Sequence, residues 1–183
     1  MILDTKNFEI SGVKLFSIKS YADKRGIFSE VYLKTLDYPE FKIEYVQENQ
    51  SISNFGVFRG MHMQKGNNSQ SKLIRVVKGK LIDVICDLRK SSPSFKKIIF
   101  IKLNPNQLLF LPKGLAHGFL SLEEGTILNY KCDNFYNESS ESGFNLFKSK
   151  IKIDFPLEQD DIIMSAKDKS LSHLDNSYIY RDL

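Results

Sequence analysis

The middle of the chain is a succession of short apolar runs broken by Gly, Pro and polar residues. From Lys72 to Leu88 it reads KLIRVVKGKLIDVICDL, two β-rich runs with Lys78-Gly79 between them. Strand-like runs on either side of such a pair signal a hairpin. KKIIFIKL and QLLFL follow, then the turn PKG at residues 112–114, then HGFLSL and TILNYKC. β-branched and aromatic residues dominate these runs, and no long stretch repeats apolar residues at i, i+3, i+4 and i+7. The tail from Asp160 to Leu174 has room for a short helix. Many short strands with Gly and Pro punctuation predict an all-β fold, a jelly-roll barrel or sandwich with a few short helices. A barrel of this kind can enclose a ligand cavity lined by inward-facing side chains.

Composition narrows the picture. With 183 residues, 42% of them hydrophobic, and no repeat or low-complexity linker, the chain reads as one domain over residues 1–183 with a sizeable core. A net charge of +4, with Lys and Arg spread along the whole length, is too weak and too scattered for a nucleic-acid arm. It is compatible with a small anionic ligand. The N-terminal stretch MILDTKNFEISGVKLF has no long apolar run and carries acidic residues early, which argues against a signal peptide. No window approaches the length of a membrane span. Cys86 and Cys132 lie inside apolar runs and read as buried, reduced thiols of a cytoplasmic protein; nothing requires a disulfide between them.

Three polar positions interrupt strand-like segments. His62 lies in FRGMHMQ, Lys72 opens an apolar run, and His117 sits in LAHGFL. A titratable side chain facing into a barrel is costly unless it is paired or used. Each alone reads equally well as a satisfied polar residue or as one turned to solvent. Joined by Tyr130 and Asp168 downstream, they form a set. Metal-binding barrels of the cupin kind need convergent nitrogen and oxygen ligands, and their first motif normally supplies two histidines separated by one residue. Here the second position holds Gln64, and the third of the three histidines, His173, lies in a polar tail. The expectation is therefore a site without metal. An interior His, Lys and Tyr suit the movement of a proton on carbon next to a carbonyl. Histidine as a type is a good general base at neutral pH. A lysine can stabilise the developing enolate oxygen in a dry site. A tyrosine can return a proton from the other face.

Six stretches then carry a resemblance, in order along most of the chain: DKRGIFSE (23–30), VQENQSISNFGVFRGMHMQ (46–64), QSKLIRVVKGKLIDVICDLRKSSPSF (70–95), LPKGLAHGFLSL (111–122), YKCDNFYNESSESG (130–143) and SAKD (165–168). The chain resembles the dTDP-4-dehydrorhamnose 3,5-epimerases, cupin-fold nucleotide-sugar epimerases that use no metal. The resemblance implies His62 as general base, Asp168 as the carboxylate that holds its imidazole, Lys72 as the enolate stabiliser and Tyr130 as general acid on the opposite face. It implies Arg59 and Arg25 as contacts to the nucleotide diphosphate, a task that suits the forked donors of Arg. It implies Glu30, Gln47, Asn49, His117, Glu141 and Lys167 as further ligand contacts, although Glu30, Glu141 and Lys167 read equally as solvated surface charges. It also implies no cofactor, a nucleotide-sugar substrate, and a homodimer in which an N-terminal strand brings Arg25 to the neighbour's site.

The chain departs from the family at two places. The usual Gln-Asp-Asn is Gln47-Glu48-Asn49, and the usual Arg-Trp pair after Glu141 is replaced by GFNLF in a chain with no Trp. The catalytic set is intact. The departures leave open the nucleotide base, the exact sugar, and whether C3, C5 or both are inverted. Two other readings stand beside the 3,5-epimerase: a single-centre epimerase on another nucleotide-linked keto sugar, and a sugar-nucleotide-binding cupin without catalysis. A pure binder has no need of a base and an acid facing each other.

Overall fold

A computed structural model describes residues 2–34 and 38–181. Its strands, in chain order, are β1 (Ile2–Asn7), β2 (Lys14–Ile18), β3 (Ser20–Asp23), β4 (Gly26–Ser29), β5 (Gln47–Ser53), β6 (Phe58–Gln64) and β7 (Lys72–Lys78). They continue with β8 (Leu81–Asp87), β9 (Ile98–Leu103), β10 (Gln107–Leu111), β11 (Leu115–Ser121), β12 (Thr126–Cys132) and β13 (Glu141–Gly143). Two short helices, α1 (Pro39–Lys42) and α2 (Ala166–Ser170), complete the frame, the second inside the tail where a helix is expected. One sheet has six strands in the order β1-β2-β10-β7-β12-β5 and the other five in the order β13-β6-β11-β8-β9, all paired antiparallel, while β3 and β4 form a separate hairpin. This is the expected jelly roll of the cupin type.

The alternation of side chains along each strand explains three apolar layers. Ile74, Val76, Leu109 and Leu128 of the six-stranded sheet meet Leu81, Ile85, Leu103 and Phe119 of the other, so the main core lies between the sheets. The opposite faces of β2, β7 and β10 present Phe16, Leu73 and Leu108 to Phe41 of α1. The outer face of the five-stranded sheet presents Met61, Ile82, Val84 and Cys86 to Phe144, Leu146, Ile162 and Leu174 of the C-terminal segments. β8 is therefore covered on both sides. All seven of its residues are buried, and this is why LIDVICD reads as nearly continuous rather than alternating.

The hairpin expected over Lys72–Leu88 does not form. β7 and β8 both exist, but β7 pairs with β10 and β12, whereas β8 pairs with β11 and β9. The Lys78-Gly79 turn carries the chain across the gap from one sheet to the other. Gly79 holds φ +85°, and the space where a Cβ would stand is filled by Thr126. From β5 to β12 the chain changes sheet at every connection except β8 to β9. Propensity and alternation specify that a segment is a strand and which face is apolar; they do not name its partner.

Cys86 and Cys132 are free and buried, as expected, and burial pushes the Cys86 thiol up to about 12. Among the described residues no helix is long and apolar enough to cross a membrane.

Candidate active site

His62 is placed by β6 and His117 by β11, and the two lie directly opposite each other in the five-stranded sheet. Lys72 opens β7 and Tyr130 lies on β12, both in the six-stranded sheet. All four line one cavity of about 560 Å³, together with Arg59, Asp168 and Lys167. A second space of about 270 Å³ shares His62, Lys72 and Tyr130 with it and continues to Gln47, Asn49 and Glu141. Gln47 and Asn49 reach it because they alternate inward on β5, with Asn49 opposite Tyr130 across the ladder.

Asp168 arrives from a distant segment on α2. Ser165 caps that helix, its hydroxyl accepting from the Asp168 N–H at 3.0 Å. One carboxylate oxygen meets His62 Nε2 at 2.7 Å, and the other accepts from the Gly60 N–H at 3.2 Å. Burial alone raises the Asp168 carboxyl, but the hydrogen bonds from His62 and Gly60 and the Ser165 hydroxyl hold it below its ordinary range. An ionised carboxylate only accepts, so the ring proton sits on Nε2 and the lone pair is on Nδ1. In that tautomer Nδ1 is the ring nitrogen able to accept a proton.

Burial pulls the Lys72 ammonium down, and the acidic neighbours Cys132, Asp83 and Glu141 counter it. Its Nζ stands 5.6 Å from the centre of the Tyr130 ring. Burial pushes the Tyr130 phenol up, which keeps it a proton donor. Arg59 is anchored at one edge by Nε to the Ser53 hydroxyl at 3.1 Å and by Nη2 to the Ile52 carbonyl at 3.4 Å. At the far end, Glu141 binds Lys167 Nζ at 2.5 Å and the Tyr136 hydroxyl at 2.6 Å. Burial raises the Glu141 carboxyl, but these bonds bring it below the ordinary value.

Two of the expected contacts do not join this group. Arg25 sits exposed in the turn between β3 and β4, paired with Asp23 at 2.5 Å, and Glu30 is exposed just after β4. Neither lines either cavity of its own chain. Gln64, at the position of a second ligand histidine, accepts from the Asn137 N–H at 3.1 Å. Among the described residues no three His, Cys, Asp or Glu side chains converge as a metal site. Sequence reasoning missed Asp83, Ser165 and Tyr136. The signal for Asp83 was present: an acidic residue inside the apolar run LIDVICDL, the same anomaly that singled out Lys72.

The chain matches the family model described as dTDP-4-dehydrorhamnose 3,5-epimerase over residues 7–176. It is 36% identical over 175 residues to the dTDP-4-dehydrorhamnose 3,5-epimerase of Methanothermobacter thermautotrophicus, covering 93% of this chain and 94% of that protein. It is 37% identical over 174 residues to the enzyme of that name from Escherichia coli K12, covering 91% and 92%. Among solved structures, dTDP-6-deoxy-D-glucose-3,5-epimerase from Legionella pneumophila, in complex with dTDP-4-keto-L-rhamnose, superposes with a TM-score of 0.89. That match has 31% identity and covers 98% of each chain.

Proposed function

The chain belongs to the dTDP-4-dehydrorhamnose 3,5-epimerase family, and from that premise we propose that it converts dTDP-4-dehydro-6-deoxy-D-glucose to dTDP-4-dehydro-L-rhamnose. The C4 ketone acidifies the protons on C3 and C5. His62 Nδ1 removes such a proton, and the electron pair moves through the carbon framework onto the C4 oxygen. Lys72 stabilises that enolate oxygen, and Tyr130 delivers a proton to the opposite face of the carbon, inverting it. Asp168 supports the imidazolium formed on His62, as an orienting carboxylate does for other histidine bases. Arg59 engages the diphosphate, while Gln47, Asn49, His117, Glu141 and Lys167 hold the remainder of the substrate. Binding energy from the nucleotide thereby orients the ring at His62.

The observation that carries this reading is the placement of His62 and Tyr130 on facing sheets of one cavity, with Asp168 fixing the tautomer of His62. The decisive experiment is turnover of the keto sugar nucleotide in deuterium oxide, read by NMR. Deuterium at both C3 and C5 with inversion is the expected outcome. Deuterium at one carbon makes the chain a single-centre epimerase, and none makes it a binder. The chemistry needs no electron acceptor beyond the substrate ketone, so activity is expected to survive exhaustive EDTA treatment. Restoration of lost turnover by zinc or iron defeats that expectation.

The reading extends to assembly. β3–β4 leaves Tyr21, Ile27 and Phe28 exposed beside Arg25. A cytoplasmic homodimer in which this hairpin reaches the neighbour covers that surface and delivers Arg25, with Glu30, to the neighbour's nucleotide.

A further inference from the structure

One buried carboxylate near the cavity has no role in the steps above. Asp83 is fully buried on β8, between Leu81 and Ile85, which belong to the apolar core between the sheets. Its Oδ2 meets His117 Nε2 at 2.8 Å. Its Oδ1 is also buried and has no hydrogen-bond partner. A carboxylate left half-satisfied in such a core is expensive unless nearby positive charge compensates it. Burial raises the Asp83 carboxyl, and two side chains able to carry positive charge oppose that rise and favour the ionised form: His117, which is bonded to it, and Lys72, which acts through its charge.

One buried negative charge balances one positive charge. The role given to Lys72 requires an ammonium. His117 is then neutral, with its proton on Nε2 donated to Asp83 and its Nδ1 lone pair free to accept from a substrate hydroxyl. The other titratable groups around Lys72 do not supply the counter-charge. Tyr130 and Cys132 on β12 carry raised values and stay neutral, and His62 on β6 is committed to Asp168. Glu141 on β13 is engaged by Lys167 and Tyr136.

We propose that Asp83 is a positioning residue: it supplies the counter-charge that keeps Lys72 an ammonium in the barrel interior, and it holds His117 as the neutral Nε2–H tautomer. This rests on the enolate chemistry proposed above.

The test uses the full-length protein and Asp83→Asn, which keeps the shape and removes the charge. NMR follows the Lys72 side chain and the His117 ring nitrogens through a pH titration. In the unaltered protein, Lys72 is expected to be charged at neutral pH and His117 to show the neutral pattern protonated at Nε2. In Asp83→Asn, the Lys72 titration moves down by about one pH unit or more. The alkaline limb of kcat moves with it, while KM changes by less than about twofold, because the ammonium matters in the enolate-forming step. Asp83→Glu, which restores the charge, returns the Lys72 titration toward its starting position. An unmoved Lys72 titration in Asp83→Asn overturns the proposal. Should Asp83→Asn fail to fold, the unaltered protein still decides: a neutral Lys72 or a charged His117 at neutral pH overturns it. Failure of the unaltered protein to exchange deuterium into the keto sugar strikes the epimerase reading instead, and leaves the charge assignment to the NMR result.

Discussion

In the proposed mechanism His62 and Tyr130 divide the chemistry, and their variants should fail differently. General acid and base groups contribute about 10²- to 10⁴-fold to rate. His62→Ala is expected to lose turnover and deuterium exchange together, since no proton leaves carbon. Tyr130→Phe is expected to lose inversion while retaining exchange, because His62 can still remove a proton and return it to the same face. Equal exchange in His62→Ala and the unaltered protein points to another base, with His117 the next candidate. Two carboxylates add a dependence on acid. Burial opposes ionisation of Asp87, but Arg89, Ser92 and Ser94 hold it below its ordinary 3.8, as His62 and Gly60 hold Asp168. Both contribute stability that is complete above the unfolded value and lost as pH falls through the lower folded values. Urea midpoints should fall between about pH 5 and pH 2. Asp87→Asn should flatten that fall and cost about 3–5 kcal/mol at neutral pH, because it leaves the Arg89 charge without its partner. At this scale the sequence exposed the anomalous His62, Lys72 and His117 with Tyr130 and Asp168 downstream, and the resemblance implied their separate roles. Asp83 carries the same anomaly, but an acidic residue in an apolar run announces neither its partner nor its purpose.

The strands themselves were legible from alternation and punctuation; their partners were not. Lys78-Gly79 looks like a hairpin turn and is a crossing between sheets, since the main core is shared by both sheets and the chain must visit each in turn. The departures from the family pattern also resolve at the level of elements. Glu48 alternates outward on β5, where it pairs with Lys131 at 2.7 Å, so its replacement of Asp leaves the cavity face unchanged. In GFNLF, Phe144 and Leu146 are fully buried in the outer core, and Asn145 holds the Asp168 and Lys169 carbonyls with its side-chain amide. That segment packs α2 into place. The close contact between β6 and β11 offers a test of the frame. Gly60 holds φ +131°, and a Cβ there would stand 2.5 Å from Gly118 Cα and 2.9 Å from the His117 carbonyl. Gly60→Ala combines a backbone strain of about 1–3 kcal/mol with that clash and displaces both histidines. A lower urea midpoint and impaired turnover are expected together; an unchanged protein contradicts the geometry.

Assembly is testable at the level of the whole molecule. If Arg25 serves the neighbour's site, Arg25→Ala and His62→Ala chains are each impaired alone. Randomly exchanged, they should recover roughly a quarter of wild-type activity, since half the dimers are mixed and one of their two sites is intact. No recovery after verified subunit exchange means that Arg25 acts elsewhere. Neither Arg25 nor Glu30 could be assigned from one chain alone, because the hairpin that carries them stands away from both cavities. The facing of the two sheets has a last consequence. His62 belongs to one sheet and Tyr130 to the other, so the gap between the proposed base and acid is set by the spacing of the sandwich. Stereochemical fidelity is thereby a property of architecture. On the proposed mechanism, a changed offset between the two sheets is expected to change which carbon meets base and acid, with the catalytic side chains untouched.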